Sequence, residues 1–240
     1  MALTGVPVAS VAVLEGYGVL TGIAGEEQRA RALDVFERMY SPAIGTSAAM
    51  DYLGRTGLDA LKGADILKTA ADSYSSTIEY AATSISQSLR GMAQVILKDL
   101  GTRVLYTSQG GYDTHANQVP VQTPLLSDLS VGIGDFFADL REHDAADNVM
   151  MMVFTEFGRR VKDNGSGSDH GSGGGCYIIG QSVNGGMHGE YPSLKEEDQL
   201  DGDLHFNVDF RSVYSTIVDK WMGLDAQAAI GGNYENLDFV

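Results

Sequence analysis

The 240-residue sequence contains little cysteine, little basic charge and no long apolar run. Its one cysteine, Cys176, excludes an intramolecular disulfide, so the cysteine count indicates neither an oxidising nor a reducing compartment. A lone cysteine in this context is typical of a small packed residue, and we expect that role for Cys176 in preference to that of a nucleophile.

Basic residues are half as numerous as acidic ones. Sixteen Lys and Arg against thirty-two Asp and Glu give a formal net charge of −16, which repels nucleic acid and anionic membrane surfaces. We therefore expect no nucleic-acid partner. Small anionic substrates remain compatible with this charge, because a metal ion or an arginine can reverse the sign of the potential inside a pocket.

No stretch of the chain approaches the roughly 20 apolar residues that a membrane-spanning helix needs, so no membrane span is expected. The first 22 residues carry no Lys or Arg and are interrupted by Gly and Pro, unlike a signal peptide. The sequence also shows no internal repeat and no low-complexity tract.

Helical periodicity is the main pattern of residues 1–100. Apolar residues recur at helical spacing in 26–39 and 84–100, and a weaker pattern, broken by three glycines, covers 45–68. Residues 8–14 are the exception and favour a short strand. The sequence therefore predicts a mainly helical region over residues 1–100.

Residues 101–240 have the alternating pattern of an α/β core. An apolar run at 102–107 favours a strand, an amphipathic stretch at 124–143 favours a helix begun by Thr123 and Pro124, and 149–155 is apolar without a polar break. This order predicts a right-handed β-α-β unit with neighbouring parallel strands. The helix is expected to pack on that sheet.

Potential metal ligands follow both predicted strands. Asp113 and His115 come after the first strand and Glu156 after the second, at the sheet edge where α/β proteins bind ligands. Asp113 and His115 lie two apart, so in extended backbone both side chains leave on one face and can reach one ion. An ordinary turn explains the same Gly-Gly-Tyr-Asp-Thr stretch, and this alternative stays open.

A second group of candidates lies in the glycine-dense stretch between Gly158 and Gly189. Asp169 and His170 are adjacent there, and His188 is a further potential ligand. Imidazole and carboxylate together suit zinc or manganese, whereas magnesium or calcium prefers more oxygen ligands. Glycine allows close approach of backbone to an ion, and it is equally typical of a disordered surface loop.

The remaining charged candidates allow structural readings. Arg159 and Arg160 can hold an oxyanion or pair with Glu156. His143 lies at the C-terminal end of the long predicted helix, where the dipole favours a cation, and we expect it to be structural. His205 is expected to be a strand residue, and Asp209 to be the N-cap of a closing helix.

Six segments in order resemble one known family. They are GGYDTHANQ, the helix with DFFADL, TEFGRR, NGSGSDHG, GGMHGEYPSL and DFRSVYSTIVDKWMG. Together they resemble the C-terminal half of the domain-of-unknown-function 1501 family, which is grouped with the alkaline phosphatase and sulfatase superfamily. The likeness covers about residues 90–225 well, and the helical first part loosely.

The resemblance implies an alkaline phosphatase-like parallel-sheet sandwich with a helical N-terminal region. It implies a metal-dependent hydrolase of phosphate or sulfate esters, acting on a small anionic ester or a sulfated or phosphorylated glycan. The implied metal ligands are Asp113, His115, Glu156, Asp169, His170 and His188, and Arg159 would neutralise the transferring group.

The family also implies export, typically by a twin-arginine signal, and an upstream strand and helix that supply the nucleophile and a first metal-binding aspartate. Nothing before residue 8 resembles that upstream segment, so we expect the chain to be a fragment with weak or no activity by itself. The alternative is a non-catalytic metal- or ligand-binding protein of the same fold.

Overall fold

Helices predominate among the described residues of the first half of the chain. The computed structural model describes residues 23, 25–57, 73–99 and 101–240. Its longer helices are α1 (Glu26–Tyr40), α2 (residues 48–57), α3 (Ser84–Leu97) and α4 (Gln118–Glu142). They confirm the helices predicted at 26–39 and 84–100 and part of the one predicted at 45–68. The strand predicted at 8–14 lies outside the described residues.

Helix α4 begins earlier than its sequence predicts. Thr123 and Pro124 were expected to start it, but the helix starts at Gln118 and contains Pro124. Proline there removes one backbone donor, yet the Thr123 hydroxyl donates to the Val119 carbonyl at 2.7 Å inside the same turn. The local signals for an N-cap therefore marked a point within the helix.

The described residues divide into two compact units. The first consists of the described part of 1–109 together with 128–143, and the second of 110–127 and 144–240. In the first unit α3 and the later part of α4 share an apolar core that includes Leu89, Phe136 and Leu140. Gly132 permits this packing, because a Cβ atom there would lie 3.0 Å from the Ser86 hydroxyl and 3.3 Å from a Leu89 methyl.

A buried carboxylate joins α4 to residues 74–80 within the first unit. Asp139 is fully buried, and its Oδ2 accepts hydrogen bonds from the hydroxyls of Tyr74 (2.6 Å) and Tyr80 (2.9 Å). Burial and the Asp139 hydrogen bond raise the pKa of Tyr74 to about 12 and raise that of Tyr80 as well. Both tyrosines therefore remain neutral donors.

His143 closes the same helix end, as its position predicted. One ring nitrogen contacts the Asp139 carbonyl at 2.9 Å, and the other contacts the Ser75 carbonyl at 2.9 Å. Carbonyls only accept, so both contacts are hydrogen bonds when both ring nitrogens are protonated. The bond to the Asp139 carbonyl accordingly raises the pKa of His143.

The second unit contains four short strands in two antiparallel pairs. They are β1 (Met151–Val153), β2 (Gly158–Asp163), β3 (Ser168–Gly171) and β4 (Tyr177–Ile179). β1 pairs with β4, with Met152 opposite Ile178, and β2 pairs with β3, with Arg159 opposite His170. The β2–β3 hairpin is the frame of the candidate site.

The predicted parallel pairing of 102–107 with 149–155 does not occur in the described part of the chain. Residues 102–107 form no strand, and their Val104 and Tyr106 side chains are 68% and 67% exposed. The apolar run at 149–155 does yield β1, but its partner β4 is antiparallel. The apolar run at 102–107 thus favoured a strand, but none of the described residues pairs with it in a sheet. The larger parallel-sheet sandwich stays a prediction.

Short helices complete the second unit. Asp209 caps α5 (Phe210–Thr216) by accepting from the Arg211 amide at 2.9 Å, which confirms the predicted N-cap. A π-helical turn (Ile217–Trp221) and α6 (Ala226–Ile230) follow. His205, expected in a strand, lies outside any strand. Among the described helices, none combines the length and apolarity needed to cross a bilayer.

Candidate metal centre

Asp113, His115 and His170 form a cluster in the second unit, which we call the triad. The Oδ1 atom of Asp113 lies 3.1 Å from Nε2 of His115 and 2.8 Å from Nε2 of His170. One potential ligand atom from each residue lies within 4.8 Å of the other two. Two segments far apart in sequence therefore place two imidazoles and one carboxylate around a common point.

The first of these segments is residues 112–115, held by a tight turn and by α4. The Thr114 amide donates to the Tyr112 carbonyl at 2.9 Å, and Gln122 of α4 donates to the Thr114 hydroxyl at 2.8 Å. Thr114 is buried by these contacts, whereas Asp113 and His115 on either side of it are exposed. Asp113 and His115, at alternate positions, therefore both extend to the side of the segment where the triad forms.

The second segment is β3, presented by the loop that joins it to β2. Asn164 shapes this loop, because its Oδ1 accepts from the amides of Ser166 (3.1 Å) and Gly167 (2.8 Å). Gly167 is buried against the first segment: a Cβ atom at this position would lie 2.5 Å from the Thr114 carbonyl oxygen. Only glycine allows the two segments to approach this closely.

Asp169 lies behind His115. Its Oδ1 is 3.0 Å from Nδ1 of His115 and accepts from the Asn164 amide group at 3.1 Å. These two hydrogen bonds, that of His115 first, lower the pKa of Asp169. A carboxylate on the far nitrogen of a ligand histidine fixes the ring orientation and leaves the other nitrogen directed at the ion.

The Asp113 carboxylate is the negative group on which the surrounding histidines and Arg159 act. Its hydrogen bond with His170 is the main cause that lowers the pKa of Asp113, with further contributions from the charges of His115 and Arg159. His170 is in turn stacked on Phe157, with ring centroids 3.8 Å apart and an interplanar angle of 14°. The ring of His170 is therefore fixed by contacts at both its edge and its face.

These donors suit the metal that the sequence predicts. Tetrahedral zinc with bonds of about 2.0–2.2 Å separates its ligand atoms by roughly 3.3–3.6 Å. The triad contacts of 2.8 and 3.1 Å are shorter than this separation by about 0.2–0.8 Å. Binding of an ion would therefore need outward shifts of these exposed side chains. The arrangement fits a two-histidine, one-carboxylate site.

Two predicted ligands lie elsewhere in the second unit. Glu156 is exposed in the turn between β1 and β2 and is not part of the triad. His188 has its Nε2 atom 2.9 Å from the Asn184 carbonyl and its ring 5.9 Å from that of Phe239. The structure thus brings together Asp113, His115 and His170, adds Asp169 behind them, and leaves Glu156 and His188 apart.

Arg159 is directed into the protein between the two segments. Its Nη2 donates to the Tyr112 carbonyl at 2.6 Å and its Nη1 to the Ser168 carbonyl, and Nη2 lies 3.7 Å from Oδ1 of Asp113. Glu156, the alternative partner, is not among these contacts of Arg159, and the oxyanion role stays a prediction.

Cys176, expected to be packed, is exposed, because it lies in the connection to β4. Partial burial nonetheless raises the pKa of its thiol, which opposes formation of the nucleophilic thiolate.

Sequence reasoning missed Phe157, Asn164 and Gly167. The Asn164-Gly165 pair is a standard signal for a hairpin turn and could have indicated the turn between β2 and β3. No pattern in the sequence indicated the stacking of Phe157 on His170 or the contact of Gly167 with Thr114, because both depend on segments about 13 to 53 positions apart coming together.

A family model, described as protein of unknown function (DUF1501), matches residues 35–236. The chain belongs to this family. The match includes every residue of the triad and also Asp169 and Arg159. A search of curated proteins finds no match, and a search of solved structures finds none either.

Proposed function

We propose that this DUF1501 protein is a divalent-metal-dependent hydrolase of phosphate or sulfate esters, related to the alkaline phosphatase and sulfatase superfamily. The observation that carries the proposal is the convergence of Asp113, His115 and His170 from two separate segments. The family match supports the resemblance from which the superfamily was inferred, although its description names no activity.

The triad would hold zinc or manganese through one carboxylate oxygen and two Nε2 atoms, and Asp169 would orient His115. Magnesium or calcium would require more oxygen ligands. A bound divalent ion would supply Lewis-acid stabilisation of the ester oxygens. The substrate class is a small anionic ester or a sulfated or phosphorylated glycan, which the ion would attract despite the net charge of −16.

Metal retention tests the proposal directly. We expect the wild-type protein, dialysed against zinc or manganese and then against metal-free buffer, to retain about one ion per chain. The His115→Ala and His170→Ala double variant should retain none, because two of three ligands are removed. His205→Ala removes an imidazole outside the triad and should leave the content unchanged.

Elemental analysis of the three proteins gives the result. A wild-type protein that retains no metal contradicts the proposal, and so does a double variant that retains as much as wild type. His188→Ala, measured in parallel, decides whether the predicted ligand His188 joins the site after metal binding.

The second candidate function is non-catalytic metal binding on the same triad. It is favoured by the state of two hydroxyls near the site: Thr114 is buried and bonded to Gln122, and Thr155 donates to the Phe157 carbonyl at 2.9 Å. Neither hydroxyl is free to attack an ester.

We therefore expect the zinc-loaded chain to hydrolyse p-nitrophenyl phosphate and p-nitrophenyl sulfate weakly. The two hydroxyls near the triad are hydrogen-bonded within the protein, and removal of a nucleophile lowers a hydrolase rate by several orders of magnitude. A chromogenic assay of the loaded protein and of the His170→Ala variant makes the measurement. Weak turnover that disappears in the variant supports the hydrolase. Metal retention with rates equal to buffer in both supports the binding protein.

A further inference from the structure

Arg159 makes a bridge that the hydrolase proposal does not explain. It is the second residue of β2, and its side chain is only 18% exposed although the triad beside it is open to solvent. The guanidinium lies over the Phe157 ring at 5.0 Å, a favourable cation–π distance. Both terminal nitrogens point away from solvent and toward backbone.

The two acceptors of this bridge lie directly beside the triad in sequence. The carbonyl of Tyr112 immediately precedes Asp113, and the carbonyl of Ser168 precedes Asp169 and His170. One planar cation therefore contacts both segments that carry the ligands. A guanidinium donates from two nitrogens in a fixed fork, which makes it suited to setting the distance between two acceptors.

Other contacts also join the two segments. At the triad, Asp113 meets His170 at 2.8 Å and His115 meets Asp169 at 3.0 Å, and the Asn164 side chain donates to the His115 carbonyl at 3.0 Å. The Gln118 amide donates to the Ser166 carbonyl at 3.3 Å, and the Ser168 hydroxyl donates to the Gln118 side chain at 3.0 Å. They fasten the β2–β3 loop to the start of α4. Arg159 differs from these contacts because its one side chain donates to a backbone carbonyl in each segment.

We propose that Arg159 is a positioning residue, which fixes the separation of residues 112–115 from β3 and so sets the geometry of the metal ligands. In this proposal Arg159 does not neutralise a transferring phosphoryl or sulfuryl group, which is the role that the family resemblance implies. The expected effect of Arg159 on metal binding rests on the proposed function, whereas its expected effect on the backbone does not.

The substitutions Arg159→Gln and Arg159→Lys test this role. Glutamine removes the cation, and lysine keeps the charge but offers one nitrogen, which cannot bridge both carbonyls in the same geometry. Arg160→Gln is the matched control, because Arg160 is the exposed neighbour whose charge also acts on Asp169. All three variants should show wild-type circular dichroism.

Zinc affinity, measured by competition with a chromophoric chelator, is the first readout. We expect both Arg159 variants to bind zinc about 10–100-fold more weakly, the usual effect of removing a group that orients ligands. Arg160→Gln should bind within about twofold of wild type. Inorganic phosphate binding to the zinc-loaded proteins is measured alongside.

Amide hydrogen exchange of the metal-free proteins is the second readout. The Thr114 amide, which donates to the Tyr112 carbonyl, should exchange faster in both Arg159 variants and at the wild-type rate in Arg160→Gln. This result is independent of metal. If wild type binds no zinc, the hydrolase proposal fails and amide exchange alone decides the role of Arg159.

Unchanged zinc affinity and unchanged Thr114 exchange in the Arg159 variants would overturn the proposal. Weakened phosphate binding in the same variants would then assign Arg159 to the anion. Full rescue of zinc affinity by lysine would also contradict a bridging role, since lysine restores the charge without the fork.

Discussion

Gly167→Ala is expected to weaken zinc binding about tenfold or more while leaving every potential ligand in place. A Cβ atom at this position would lie 2.5 Å from the Thr114 carbonyl oxygen and 2.8 Å from the backbone carbon of His115. Backbone atoms cannot rotate away as a side chain can. The β2–β3 loop and residues 114–115 must therefore separate, and each carries ligands of the triad.

The size of the effect follows from overpacking. Insertion of a methyl group into a closely packed site costs about 1–3 kcal/mol, and about 1.4 kcal/mol corresponds to a factor of ten in affinity. Part of this free energy will be lost from folding and part from metal binding. Chelator competition measures the affinity, and the fluorescence of Trp221, which lies in the same unit, reports its unfolding.

Gly110→Ala provides the control. Gly110 lies just before the same segment, but a Cβ atom there meets nothing within 4 Å, and its backbone has no positive φ angle. We expect affinity and stability equal to wild type. Wild-type zinc affinity in Gly167→Ala, with the control behaving as described, would show that the two segments do not meet as the structure has them.

The largest loss of stability is expected in the first unit, from Asp139→Ala. This change removes the acceptor of both tyrosine hydroxyls and leaves the half-buried Tyr74 and Tyr80 without that partner. A buried unsatisfied donor costs about 1–3 kcal/mol and a half-buried one costs less, so we expect a loss of roughly 2–4 kcal/mol. That is a large part of the total stability of a typical domain.

The conservative change Asp139→Asn keeps one side-chain oxygen and should cost less than Asp139→Ala. Asp128→Ala, on the same helix and half-buried, is the control for loss of an acidic residue from α4. Urea unfolding followed by circular dichroism at the helical band is suitable, because α3 and most of α4 lie in this unit.

A combination of substitutions separates the hydrogen bonds from the packing. In Tyr74→Phe with Tyr80→Phe, the donors are absent, so adding Asp139→Ala should cost much less than it does in wild type. Strict additivity of the three changes would contradict the view that Asp139 stabilises the unit through these two hydroxyls.

Local patterns predicted α1 and α3 well, and α3 buries one regular apolar face. Ile85 and Leu89 of α3, for example, are 5% and 3% exposed, as their spacing predicts. In α1, by contrast, Val35 and Met39 of the predicted face are exposed. The start of α4 was predicted six residues late, since threonine and proline also occur within this helix and not only at its start. Sheet pairing was predicted least well, because it depends on a partner that no local pattern indicates.

The candidate site was predictable in its chemistry and less so in its geometry. Residue type and spacing placed Asp113 with His115, and the structure brings His170 to both. The same reasoning also predicted Glu156 and His188 as metal ligands, although both lie outside the triad. Arg159 was identified by its charge, but only the two carbonyls beside it indicate what that charge does.

The solvent exposure of the triad determines how it would acquire an ion. Its side chains are 44–63% exposed, so water reaches the bound position from outside. An ion held there would exchange with the medium, and its occupancy would follow the free concentration of each competing metal. Sites of nitrogen and oxygen ligands bind copper and zinc more tightly than manganese. The compartment in which the protein resides, more than the protein, would then select the metal.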